Sequence, residues 1–120
     1  MSERVWHDVG ALAELERTGR VVAVVAGRSV GVVRAPDGSL HGVRDRCPHH
    51  GAPLCRGVVQ RRTLGTPGRY ELGDRLVLRC PWHGWEFDLE TGTCPEDARM
   101  RVAVYPSRIV GDRVEVALVS

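Results

Sequence analysis

Two short segments restrict this 120-residue chain more than any other feature: Cys47-Pro48-His49-His50-Gly51 and Cys80-Pro81-Trp82-His83-Gly84. Each has a thiol just before a Pro and imidazole between that Pro and a Gly, and the two cysteines lie 33 positions apart. Pro and Gly keep such a loop tight, so that it aims its side chains at one point while backbone N–H groups face the sulfur. A fold that uses both segments has to bring two distant loops together.

A Cys2His2 donor set suits zinc, or a 2Fe-2S centre in which two His replace two Cys on one iron. Spacing helps decide between them. Zinc modules of this composition usually pair Cys with Cys and His with His. Here the first loop is C-x-H and the second C-x-x-H, with one donor of each kind per loop. Two matching loops supply both thiolates to one iron and both imidazoles to the other, so the pairing favours iron and sulfide.

The rest of the chain reads as all-β. Short β-branched segments alternate with Gly, Pro and Asp, the punctuation of a small sandwich or barrel. Residues 20–26 and 29–35 are Val-rich strands, Pro36-Asp37-Gly38 is a turn, and 40–44 continues as the third strand of a meander. Residues 11–17 predict at most a short connecting helix ending at Gly19. Between Cys55 and Arg75, four glycines and Pro67 predict a surface loop or loose hairpin, with short strands at 63–64 and 69–72. Strands are expected at 75–79 and 86–89, then a turn at Glu90-Thr91-Gly92. Residues 101–110, a Gly111-Asp112 turn and 114–119 predict a closing hairpin.

Composition limits the function. A chain of 120 residues with 42% apolar content suffices for one core, which predicts a single domain over 1–120 with its metal-binding part at about 45–95. An oxygenase domain with its own iron and substrate pocket would need roughly one or two further domain lengths. All 17 basic residues are Arg, offset by 15 acidic ones, and only Arg61-Arg62 are adjacent, so no basic stripe for nucleic acid stands out. The longest apolar run, Val21 to Ala26, is too short for a membrane helix, and the first residues lack the apolar region of a signal peptide. A soluble cytoplasmic protein is expected, in which four cysteines indicate metal or redox chemistry before disulfides. No Ser-His-Asp, paired-carboxylate or phosphate-loop arrangement is visible, so no catalytic site of its own is expected.

From about Leu40 to the C terminus the sequence resembles the Rieske family. The likeness is carried by Cys47-Pro48-His49-His50-Gly51-Ala52-Pro53-Leu54 and Cys80-Pro81-Trp82-His83-Gly84-Trp85-Glu86-Phe87-Asp88. Thr91-Gly92 and Val104-Tyr105-Pro106 also look like parts of Rieske ferredoxins and of the Rieske domains of ring-hydroxylating oxygenases. The resemblance implies a Rieske-type antiparallel β sandwich of three sheets, with a cluster-binding subdomain of two loops at one tip. It also implies one 2Fe-2S cluster held by Cys47, His49, Cys80 and His83, with the outer imidazole nitrogens as an exit path for electrons. His50 is then a neighbour of the ligands.

The Rieske proteins of quinol-oxidising complexes have a second Cys in each loop, joined as a disulfide, and Ser and Tyr hydroxyls directed at the cluster. Here Trp82, Trp85 and Phe87 stand at the comparable second-loop positions, and Cys55 has no Cys partner there. This implies no bridge and a potential in the lower half of the Rieske span of roughly −150 to +300 mV. Trp82 and Trp85 are expected to pack around the loops, and Cys94 to be a structural thiol in a third, Pro-containing loop. One departure stands out. Thirty residues separate His49 from Cys80, about twice the usual ferredoxin spacing, so residues 56–75 contain an insertion beside the site.

The leading expectation is a soluble, low-potential, ferredoxin-like carrier passing single electrons between a reductase and an oxygenase. The alternative is an electron-transfer subunit fixed in a reductase complex, similar to the small subunits of assimilatory nitrite reductases. A structural zinc or redox-sensing module is the third reading.

Overall fold

The computed structural model describes residues 4–48, 51–66, 69–82 and 84–119. Strand β1 (Arg4–Ala11) runs into helix α1 (Leu12–Thr18). A seven-residue helix has little stability of its own. Fully buried Leu15 anchors it, and the Gly19 N–H ends it by donating to the Leu15 carbonyl at 2.8 Å.

Strands β2 (Arg20–Val25), β3 (Arg28–Arg34) and β4 (Leu40–Arg44) form the expected antiparallel meander. Val30 and Val32 of β3 belong to one apolar cluster and Val33 to a second. Alternate residues of a strand face opposite ways, so β3 is buried on both sides, which accounts for its nearly unbroken Val run.

Of the loop or loose hairpin expected between Cys55 and Arg75, the structure forms the hairpin, with strands far longer than the short ones predicted at 63–64 and 69–72. Strands β5 (Val58–Thr66) and β6 (Arg69–Arg79) pair from Val58 with Arg79 to Thr66 with Arg69, with a register shift between Arg61 and Thr63. Gly65 and Gly73 lie within β5 and β6, where cross-strand pairing overrides their weak strand propensity. β7 (Glu86–Asp88) adds to β6.

The predicted strand at 101–110 is also corrected. Pro106 has no N–H to donate and divides it. β8 (Val104–Tyr105) pairs with β4, whereas β9 (Ser107–Val110) pairs with β10 (Arg113–Val119) across the expected Gly111-Asp112 turn. β10 also pairs with β1. Three antiparallel sheets result, ordered β1-β10-β9, β2-β3-β4-β8 and β5-β6-β7, in agreement with the all-β expectation. Among the described residues no helix is long and apolar enough to cross a membrane.

One apolar cluster joins the first two sheets through residues such as Val9, Val30, Val114 and Val116. The other gathers Val33, Val43, Leu54, Leu78, Phe87 and Leu89 around the cysteine loops. Val59, Leu78 and Phe87 stand opposite one another across β5, β6 and β7 and give the third sheet its apolar face.

Candidate metal centre

Cys47 follows β4 and Cys80 follows β6, so each thiol stands just beyond the end of a strand from a different sheet. The two loops close in the same way. Cys47 donates its N–H to the Ala52 carbonyl (2.9 Å) and accepts the Gly51 N–H (2.8 Å). Cys80 donates to the Trp85 carbonyl (2.7 Å) and accepts the Gly84 N–H (3.0 Å). Gly51 (φ 76°) and Gly84 (φ 72°) take the left-handed conformation that each closure requires and that larger residues disfavour. An Arg precedes each Cys and lies across the glycine of its own loop. A Cβ on Gly51 would come 3.3 Å from the Arg46 guanidinium, and one on Gly84 2.8 Å from that of Arg79. The pattern Arg-Cys-Pro-x-x-Gly thus builds one local frame twice.

Cys47 is 1% exposed and Cys80 2%, and both belong to the same apolar cluster. Gly57 couples the loops. It follows a 3-10 turn at Leu54–Arg56 and packs onto the Arg79 carbonyl so closely that a Cβ would overlap the oxygen. The central sheet pins this turn from the other side. Asp45 accepts the Cys55 N–H (2.8 Å) and the Ser29 hydroxyl (3.1 Å), while the Arg20 guanidinium donates to the Cys55 carbonyl (2.9 Å). Sequence reasoning missed Arg20, Ser29 and Asp45, because no short motif relates residues whose partners lie 10 to 35 positions away.

His49, His50 and His83 lie outside the described residues, so the expected ligand set is described at Cys47 and Cys80 only. No disulfide joins any of the four cysteines, and two buried thiols on matched loops fit the cysteine-bound iron of a Rieske centre. When bound, the cluster supplies reversible one-electron chemistry.

Cys55 and Cys94 are buried in the same cluster but differ in chemistry. Burial, followed by the nearby Asp45 carboxylate, raises the Cys55 pKa. Burial and the hydrogen bond from the Cys94 thiol to Glu96 (3.2 Å) push Cys94 up to about 11. Both stay protonated at neutral pH, which agrees with structural roles.

Trp85 packs against the apolar cluster as expected, but Trp82 does not: it is 57% exposed. The hydrogen bond between Cys80 and Trp85 turns the start and end of the loop toward the core, and Trp82 projects from the stretch between them. Next to the site, Asp88 receives Arg75 at 2.8 and 2.9 Å and the N–H groups of Glu90 and Thr91 at 2.8 and 3.0 Å. Burial works to raise its pKa, but the hydrogen bonds from Arg75 and the backbone outweigh burial and hold it below the usual carboxylate range.

Comparison with known proteins agrees with this geometry. The family model described as a Rieske-like [2Fe-2S] domain matches residues 5–117. The ferredoxin subunit of anthranilate 1,2-dioxygenase from Burkholderia cepacia is 33% identical over 113 residues, covering 92% of this chain and 90% of that one. A Mycobacterium tuberculosis structure assigned as an NADH-dependent nitrite reductase small subunit superposes with a TM-score of 0.81 at 31% identity, covering 98% of each chain. The 4beta-methylsterol monooxygenase of Methylococcus capsulatus is 34% identical over 91 residues, 67% of this chain but 21% of that enzyme. Several curated relatives are similarly long, and the chain spans 7–25% of their length. With its two cysteine loops, its three antiparallel sheets and a family match over nearly its whole length, the chain belongs to the Rieske-like [2Fe-2S] domain family and carries one Rieske-type 2Fe-2S cluster.

Proposed function

We propose that Cys47, His49, Cys80 and His83 hold the cluster and that the protein is a soluble, low-potential carrier passing single electrons from a reductase to an oxygenase. The observation that carries this reading is the repeated loop frame, which buries both cysteine thiols in one apolar cluster. The protein's own residues supply the setting. Closed backbone rings orient the thiols, Leu54 and Phe87 exclude water, Gly57 seats the first loop's end on Arg79, and the clamp of Asp45 and Arg20 on Cys55 holds that turn to the central sheet. Likeness to the anthranilate dioxygenase ferredoxin subunit supports a carrier that serves an oxygenase.

Anaerobic reconstitution with iron and sulfide is expected to give a brown protein with a rhombic EPR signal on reduction. Cys47→Ser and Cys80→Ser should abolish both colour and signal, whereas Cys55→Ser and Cys94→Ser should keep them. A colourless protein that binds one zinc overturns the reading.

A second reading, a subunit fixed in a reductase complex, is favoured by the fit to the nitrite reductase small subunit over 98% of both chains. Gel filtration with candidate partners at moderate salt separates the two, since a carrier dissociates and a fixed subunit co-elutes.

A further inference from the structure

We propose that the groove between the β5–β6 hairpin and the second cysteine loop is an electron-exit dock for an acidic segment of the redox partner that carries an apolar side chain. The proposal rests on the carrier reading and adds the chemistry of the partner. The groove encloses about 770 Å3, and its walls include Arg56, Val58, Arg79, Pro81 and Trp82. Cys80 also lines it, so a partner seated there touches the loop that carries one proposed ligand.

Two observations identify the occupant. Trp82 is 57% and Val58 61% exposed, and large apolar groups gathered on one surface mark a place that another molecule covers. The second observation is charge. Arg56 and Arg79 are both exposed, and neither takes part in an ion pair of the described residues. Glu86 stands opposite Arg79 on β7, but it is 6% exposed and accepts the Gln60 amide at 2.8 Å. Two accessible guanidinium groups beside an apolar patch therefore call for carboxylates on the partner, which arginine binds in a planar, two-pronged geometry. Exposed Trp and Arg are also the residue types that dominate the energy of protein interfaces.

Small redox probes of opposite charge test the dock. Reduced protein gives one electron to ferricyanide, which becomes ferrocyanide, with no bond or proton exchanged. Stopped-flow reoxidation of the intact, dithionite-reduced protein is followed with anionic ferricyanide and with cationic tris(phenanthroline)cobalt(III), from low to high NaCl. For the natural sequence the ferricyanide rate is expected to fall as salt screens the arginines. Arg56→Glu should slow the low-salt ferricyanide reaction by about threefold or more and speed the cobalt reaction. Val58→Glu, which adds a charge at another exposed wall residue, should act in the same direction. Arg4→Glu makes the same change of net charge as Arg56→Glu on the sheet that carries neither cysteine loop, and should leave the ratio of the two rates unchanged.

Equal effects from Arg56→Glu and Arg4→Glu, or no effect from either groove variant, with the visible spectrum intact, overturn the dock and leave the carrier reading standing. A protein that stays colourless after reconstitution overturns the carrier reading and the dock together.

Discussion

Gly57 shows how much of the site depends on single atoms. Its missing side chain lets the end of the first loop rest on the Arg79 carbonyl, one residue before Cys80. Gly57→Ala is therefore expected to cost roughly 1–3 kcal/mol or more, as overpacking of a tight contact does, and to loosen the cluster. Thermal unfolding followed at the cluster's visible absorbance checks this, and an unchanged Tm would contradict it. Asp88 gives the corresponding electrostatic case. Its folded pKa lies below the unfolded value of about 3.9, so its stabilisation is complete above that pH and is lost as pH falls through the folded pKa. The Tm deficit of Asp88→Asn should accordingly be largest near pH 7 and shrink below about pH 4. Cys47, Cys80, Gly51 and Gly84 were legible in the sequence, because a donor and the turn that aims it are neighbours. Gly57 was visible only as one of several glycines, since its partner is 22 positions away.

The β5–β6 hairpin has two parts with different duties. Near its base, Val59 and Leu76 pack against the cluster core and Arg75 holds Asp88. Replacing residues 63–74 by Asn-Gly should close a short hairpin between Arg62 and Arg75 and keep the cluster absorbance. Excising 56–75 should abolish that absorbance, because it removes Gly57, Val59 and Arg75 together. Visible spectra of the two deletions decide this directly. Its Gly and Pro are locally strong turn signals, so the sequence predicts a loop or a loose hairpin with only short strands at 63–64 and 69–72. Pairing of nine residues with eleven outweighs those signals, and no local rule reports it. Pro106 misled in the opposite direction. An apolar run on both sides of it reads as one strand, yet Tyr105 and Ser107 pair into different sheets.

Across the molecule, the central sheet separates two apolar clusters, one shared with the terminal strands and one with the cysteine loops. Val33 and Val43 of this sheet face the cysteine loops, whereas Val21, Val30 and Val32 face the terminal strands. The second-loop neighbours Trp82, Trp85 and Phe87 offer no hydroxyl donor. A redox titration should therefore give a midpoint in the lower half of the span of roughly −150 to +300 mV, and a strongly positive value would contradict the assignment as a low-potential carrier.

The sequence by itself determined the all-β class, the meander of β2, β3 and β4, and two loops with cysteines ready for one metal centre. Those features depend on residue alternation, turn chemistry and donor spacing, which are all local. Tertiary structure alone decided that the hairpin at 56–75 pairs along two long strands, that Pro106 divides two sheets, that Trp82 is exposed, and that Arg20 and Asp45 grip Cys55. Each of these follows from contacts between residues far apart in the chain or from burial, whose energies appear only once the sheets have assembled.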